Sequence, residues 1–210
     1  SKLANLIVNQ ALSQKELKEE ISQYWTNRKK RKDYTDILAH LEVQGWDIDD
    51  IVFIDTTADK SSTMLEFHEI VIENRGKIVT ANKNPLSLFS MKHFEDLVKK
   101  RSSYKYSASV MAWAPGINAL QDAYDTRNKV VRIEWCFSGT LGFLASRAET
   151  KPLSMALTNA IEAWYTEPNP WDDLNGLDVA RKILILARTA GFPLEMENIT
   201  VEPFLPEEFS

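Results

Sequence analysis

The stretch IVFIDTTADKSSTMLEFHEIVIENRGKIVTANKNP, residues 51–85, decides how this chain folds. It opens with IVFIDTT (51–57), a short apolar run rich in β-branched residues, the pattern of a strand buried on both faces. DKSSTMLEFHEIVIENRG (59–76) follows, with a helical spacing of apolar residues and a glycine at its end. KIVTANK (77–83) repeats the strand pattern. Strand, helix and strand over this length predict parallel neighbours joined by a helical crossover.

Outward from this unit the alternation continues. LSQKELKEEISQYW (12–25) predicts an amphipathic helix with Ser13 as N-cap, and DYTDILAHLEVQGW (33–46) a second one that stops near Gly45. SLFSMKHFEDLVKK (87–100) predicts a helix and YKYSASV (104–110) a strand. After Pro115 the style changes. GINALQDAYDT (116–126) reads as helix, KVVRIEWCFSG (129–139) as a long strand, and TLGFLASRAE (140–149), LSMALTNAIEAWY (153–165) and GLDVARKILILARTAGF (176–192) as helices. We therefore expect two domains, 1–115 and 116–210, the first an α/β parallel sheet with covering helices and the second α+β.

Composition narrows the function classes. The chain has 210 residues, 44% apolar and 26% charged, with a net charge of -5, so as a whole it is not built to hold nucleic acid. The basic run Arg28–Lys32 reads as a solvated turn or as a phosphate patch. Cys136 is the single cysteine, which excludes an internal disulfide and suits a reducing, cytoplasmic setting; its apolar surroundings predict a buried thiol. His40, His68 and His93 are too far apart for metal-ligand spacing, so no metal site is expected. No stretch is long enough to span a bilayer as a helix.

Two places carry chemistry. EPNPWDDLNGLDVARK (167–182) brings Glu167, Asp172, Asp173 and Asp178 ahead of Lys182. Asp178 and Lys182 lie four apart, on one face of a helix. They form either a plain ion pair or, with the acids of the proline-framed loop, a grip for an ammonium group beside a lysine that can hand over a proton. Acids at a helix start also satisfy its dipole, which accounts for part of the cluster. The second place is the pair of strand ends, DTT (55–57) and TANKNP (80–85). Ligands of parallel sheets sit at the carboxyl ends of strands, so Thr57 and Lys83 face one crevice or merely cap their strands.

Together IDTTA, GKIVTANKNPLS, IEWCFSGTLGFL and YTEPNPWDDLNGLDVARKILILAR resemble homoserine dehydrogenase, above all the form fused behind aspartate kinase. The most specific part is P-x-x-D-[aliphatic]-x-G-x-D-x-x-x-K, matched by Pro170, Asp173, Leu174, Gly176, Asp178 and Lys182. The resemblance implies an incomplete Rossmann-like sheet followed by a substrate and dimerisation domain, with members continuing beyond both ends of this chain. It implies reduction of aspartate 4-semialdehyde to homoserine with NADP or NAD as cofactor, in the biosynthesis of threonine and methionine. Lys182 falls on the proton-transfer lysine and Glu167 and Asp178 on the carboxylates for the substrate amine, with Asp173 in support. Lys83 falls on the lysine near nicotinamide and substrate, and Thr57 on a cofactor contact. A homodimer and an aspartate kinase segment are the implied partners.

The departures from the family pattern are themselves patterned. A loop that reads V-G-A-G-x-P in the family is Val110-Met111-Ala112-Trp113-Ala114-Pro115 here. Trp135 and Trp164 also stand where the family has glycine, and Ser107 where it has a carboxylate that helps bind a monovalent cation. No G-x-G-x-x-G turn is present. An indole at a glycine position is expected to fill the crevice or push the loop elsewhere. Two readings result: part of a working homoserine dehydrogenase, or a non-catalytic relative acting as a binding or oligomerisation module.

Overall fold

The computed structural model describes residues 5–8, 34–112, 114–167 and 169–205; of 5–8 it describes the backbone. The expected helix at 12–25, the basic run at 28–32 and Trp113 lie outside the described residues. The chain forms two compact units, Ser1–Ala112 and Trp113–Ser210.

In the first unit, strands β1 (Asn5–Val8), β2 (Ile51–Asp55), β3 (Lys77–Thr80) and β4 (Tyr104–Lys105) form one sheet in that order. β2, β3 and β4 run parallel, with Phe53 opposite Ile78 and Ile78 opposite Tyr104. β1, which the sequence reading passed over, pairs antiparallel with β2. The expected crossover is helix α2 (Ser62–Glu73), started by Ser61, whose Oγ accepts the Met64 N–H at 3.3 Å. It buries Met64, Leu65, Phe67, Val71 and Ile72, with Phe67 meeting Phe53 of β2 edge-on at 5.3 Å between ring centres. Each such side chain, fully buried, stabilises the fold by roughly 1.5–3 kcal/mol. Gly76 closes the crossover because nothing larger fits: a Cβ there would lie 2.7 Å from Val71 Cγ1 and 2.8 Å from Ile48 Cγ2. Helices α1 (Thr35–Val43), α3 (Asn84–Ser87) and α4 (Met91–Val98) complete the unit. The strand expected over 104–110 is shorter than its pattern. It gives way to a 3-10 turn at Ser107–Ser109, where Ser109 donates its N–H and its hydroxyl to the Tyr106 carbonyl.

The second unit, among its described residues, is built of helices α5 (Gly116–Asp125), α6 (Gly139–Ala148), α7 (Leu153–Glu162), α8 (Trp171–Leu174) and α9 (Leu177–Thr189). Ala156 and Ala160, four apart and fully buried, present a small-residue face of α7 to Leu144 of α6 and Leu174 of α8. Leu184 and Ile185 of α9 and Ile117 of α5 are buried as well. KVVRIEWCFSG has the residues of a strand but forms none. A strand needs a neighbour for its N–H and C=O groups, and none lies beside it among the described residues. Val131 and Trp135 are consequently 86% and 66% exposed. Cys136, expected to be buried, is exposed for the same reason. No described helix is long and apolar enough to cross a membrane.

Candidate functional site

The acidic loop and the lysine come together within the second unit. Gly176 is the joint. With φ +76 it turns the chain from α8 into α9, a left-handed angle that suits glycine. α9 then places Asp178 and Lys182 one above the other, with Lys182 Nζ 2.5 Å from Asp178 Oδ2. The same ammonium donates to the Phe137 carbonyl at 2.8 Å, which ties α9 to the stretch before α6. Asp178 is 3% and Lys182 15% exposed at their side chains, so the pair is shielded from solvent. An ammonium has three N–H donors. Two are committed to Asp178 and Phe137, and among the described residues the third has no partner.

Asp173, buried at the end of α8, accepts the Glu167 backbone N–H at 2.8 Å and so holds the loop that carries Glu167. Burial pushes the Asp173 carboxyl above its ordinary pKa. The Glu167 N–H works against the rise, and the nearby charges of Asp178 and Glu167 add to it. Thr140, at the start of α6, donates to the Tyr165 carbonyl at 2.6 Å and fixes the other end of the same loop. Asp172 approaches Arg181 at 3.8 Å. Arg181 is buried and passed unnoticed in the sequence reading; its place one residue before Lys182 was the available signal.

Trp164 fills no crevice in this unit. Its backbone keeps φ +60, the left-handed angle a glycine would take, and its side chain is 92% exposed. Met111 in the first unit does the same at φ +59. Both residues hold a left-handed backbone that favours glycine, at a cost of about 1–2 kcal/mol each.

In the first unit the two strand ends are stitched together. Thr57 is buried, and its Oγ1 accepts the Asp59 N–H at 3.3 Å and the Asn82 side-chain amide at 3.4 Å. Asn82 and Asn84 both donate their side-chain amides to the Asp59 carbonyl at 3.1 Å. Lys83 sits between these two buried asparagines and is itself half-buried. The loops after β2 and β3 are thus one polar assembly at the carboxyl ends of parallel strands, where a nicotinamide cofactor would meet such a sheet. The fit to a whole dinucleotide stops there. No two of the 7 glycines are separated by a single residue, so this chain supplies no glycine-rich turn for a pyrophosphate.

A family model for homoserine dehydrogenase matches residues 115–206, and the signature acids and lysine converge within that span. This chain belongs to the homoserine dehydrogenase family. It is 40% identical over 161 residues to the chloroplastic bifunctional aspartokinase/homoserine dehydrogenase of Daucus carota, covering 74% of this chain and 17% of that protein. It is 34% identical over 170 residues to the homoserine dehydrogenase of Emericella nidulans, covering 76% of this chain and 45% of the relative. The chain therefore spans less than half the length of these relatives. Among solved structures, a Candida auris protein of unknown function matches with a TM-score of 0.69 and 28% identity, over 87% of this chain and 54% of that one. The homoserine dehydrogenase of Thiobacillus denitrificans matches at TM-score 0.60 and 25% identity, over 74% of this chain and 36% of that one. A hyperthermophilic archaeal homoserine dehydrogenase solved with NADPH shares the fold at TM-score 0.57 and 21% identity.

Proposed function

We propose that this chain supplies the amino-acid grip and the proton donor of a homoserine dehydrogenase, the enzyme that reduces aspartate 4-semialdehyde to homoserine. The observation that carries this reading is the Lys182 ammonium, shielded, held by Asp178 and the Phe137 carbonyl, with one N–H to spare among the described residues. As hydride reaches the aldehyde carbon, negative charge grows on its oxygen. A fixed ammonium within hydrogen-bond reach stabilises that charge and then delivers the proton. Glu167 and Asp178 are the carboxylates for the substrate's own ammonium, and Asp173 positions Glu167 through its backbone N–H.

A nicotinamide cofactor, NADP or NAD, would supply the hydride, with Thr57 and Lys83 as the residues of the first unit assigned to its reactive end. This chain itself has no glycine-rich turn for the cofactor's pyrophosphate. The bifunctional relatives support an aspartate kinase segment as a partner in the same protein, and the family a homodimer.

Titration of the 15N-labelled chain with L-homoserine tests the grip. The amides of Glu167, Asp178 and Lys182 are expected to shift together, and Asp178→Asn to weaken binding about tenfold or more, the loss of one charged hydrogen bond. An unchanged spectrum at tens of millimolar homoserine would sink the reading.

A further inference from the structure

A buried histidine in the first unit is not used by any of the chemistry above. His68 of α2 has no solvent exposure and lies between Asp55, at the end of β2, and Tyr104 of β4, themselves 4% and 1% exposed. Its Nδ1 is 2.9 Å from the Tyr104 hydroxyl. Its Nε2 is 3.3 Å from Asp55 Oδ2, off the axis of a proper hydrogen bond. For a neutral ring only one placement of the protons gives each an acceptor. Tyr104 donates its hydroxyl proton to Nδ1, and Nε2–H faces the carboxylate. The other tautomer would turn a lone pair towards a buried negative charge and leave the phenol proton without an acceptor.

The carboxylate leads on to the strand-end loops. Asp55 Oδ1 accepts the Thr57 N–H at 2.8 Å. Oδ2 accepts from Thr80 Oγ1 at 3.4 Å, and that hydroxyl in turn accepts the Asn82 N–H at 2.9 Å. A chain of polar contacts thus runs from the buried phenol of β4 through α2 to both loops at the carboxyl ends of β2 and β3. Burial works to raise the Asp55 carboxyl. The contacts from His68 and Thr57 outweigh it and hold the group below the ordinary range. Burial raises the Tyr104 phenol, as does the Asp55 charge, so it stays a proton donor.

We propose that His68 is a positioning residue for the crevice loops: as the Nε2–H tautomer, steered by Tyr104, it holds Asp55 so that the Thr57 turn keeps its shape. That Thr57 then serves a nicotinamide ligand rests on the proposed function; the relay itself does not.

The test uses the full chain, 15N-labelled, at about pH 8.5, where an ordinary imidazole is neutral. His68 is expected to show an unprotonated Nδ1 and a protonated Nε2; the reverse assignment overturns the proposal. In His68→Leu the Thr57 amide is expected to exchange about tenfold faster or more, the effect of one lost charge-assisted bond, while the Val71 amide in the core of α2 keeps its protection. His68→Gln, which retains a donor towards Asp55, is expected to restore most of it. Unaltered Thr57 exchange in His68→Leu overturns the proposal, as does a His68→Gln variant that behaves like His68→Leu. If His68→Leu fails to fold, Tyr104→Phe decides: faster Thr57 exchange supports the relay and unaltered exchange overturns it. NADPH titration, followed by nicotinamide fluorescence, separates the two readings. No binding by the wild-type chain counts against the proposed cofactor role and leaves the relay to the Thr57 amide. Binding that His68→Leu weakens and His68→Gln restores supports both, and equal binding in all three counts against the cofactor role of Thr57 and leaves the relay to the Thr57 amide.

Discussion

Replacing Gly176 by alanine tests the joint on which the candidate site turns. Two separate penalties follow from its geometry. At φ +76 an alanine is strained by about 1–2 kcal/mol relative to its right-handed conformation. Its Cβ would also lie 2.7 Å from Val201 Cγ1, and a β-branched side chain has few rotamers with which to retreat. Overpacking of this kind costs about 1–3 kcal/mol. Alanine returns about 0.4–1 kcal/mol by restricting the unfolded chain. The net loss is about 1–4.5 kcal/mol, a fall in Tm of roughly 2–18 °C for a chain of this size. Thermal melts by circular dichroism measure it, and a double-mutant cycle divides it. In a Val201→Ala background the clash is gone and the strain remains, so Gly176→Ala should then cost only about 1 kcal/mol. A coupling between the two sites below about 0.5 kcal/mol would refute the steric half of this reasoning. A Gly176→Ala chain that melts with the wild type would refute all of it.

Trp164→Gly is expected to stabilise the chain by about 0.5–1 kcal/mol, since it relieves left-handed strain and forfeits almost no packing; a lower melting temperature would count against it. Lys182→Met leaves the Asp178 carboxylate buried beside an apolar stem, a loss of about 3–5 kcal/mol. Adding Asp178→Asn should return part of that loss in urea melts, and a double variant no better than the single one would contradict a direct pairing. Asp173 has the opposite sign to an ordinary paired carboxylate. Its folded pKa lies above the unfolded value, so the folded state binds the extra proton and stability falls as pH rises between the two. Asp173→Asn keeps an oxygen for the Glu167 N–H and should remove that slope from urea midpoints taken between about pH 4 and 8; an unchanged slope would assign it to another group.

The crossover of the first unit was readable because each of its signals is local. β-branched runs, a serine cap and a glycine at a crowded turn act within a few residues of one another, and the helix and both strands appear where those signals put them. The pairing of Asp178 with Lys182 was readable for the same reason, being one helical turn. What escaped depends on distant partners. Phe137, whose carbonyl accepts a hydrogen bond from Lys182, lies 45 residues away, and Tyr104 lies 36 residues from His68. No spacing rule joins them. KVVRIEWCFSG shows the converse: its residues favour a strand, yet β-propensity expresses itself only beside a neighbour, so its apolar side chains and Cys136 are exposed. Trp164 was legible as an oddity but not in its outcome, because the sequence shows the missing glycine and not that the backbone keeps its angle.

The exposed Trp164 also gives the molecule an optical handle. An indole that is 92% in water emits at long wavelength and is open to collisional quenchers such as iodide. It stands three residues ahead of Glu167, on the loop tethered by Thr140 and Asp173. Closure of that loop over an amino acid would change the water around the ring, so the chain's own fluorescence can report occupancy of the site without any attached dye.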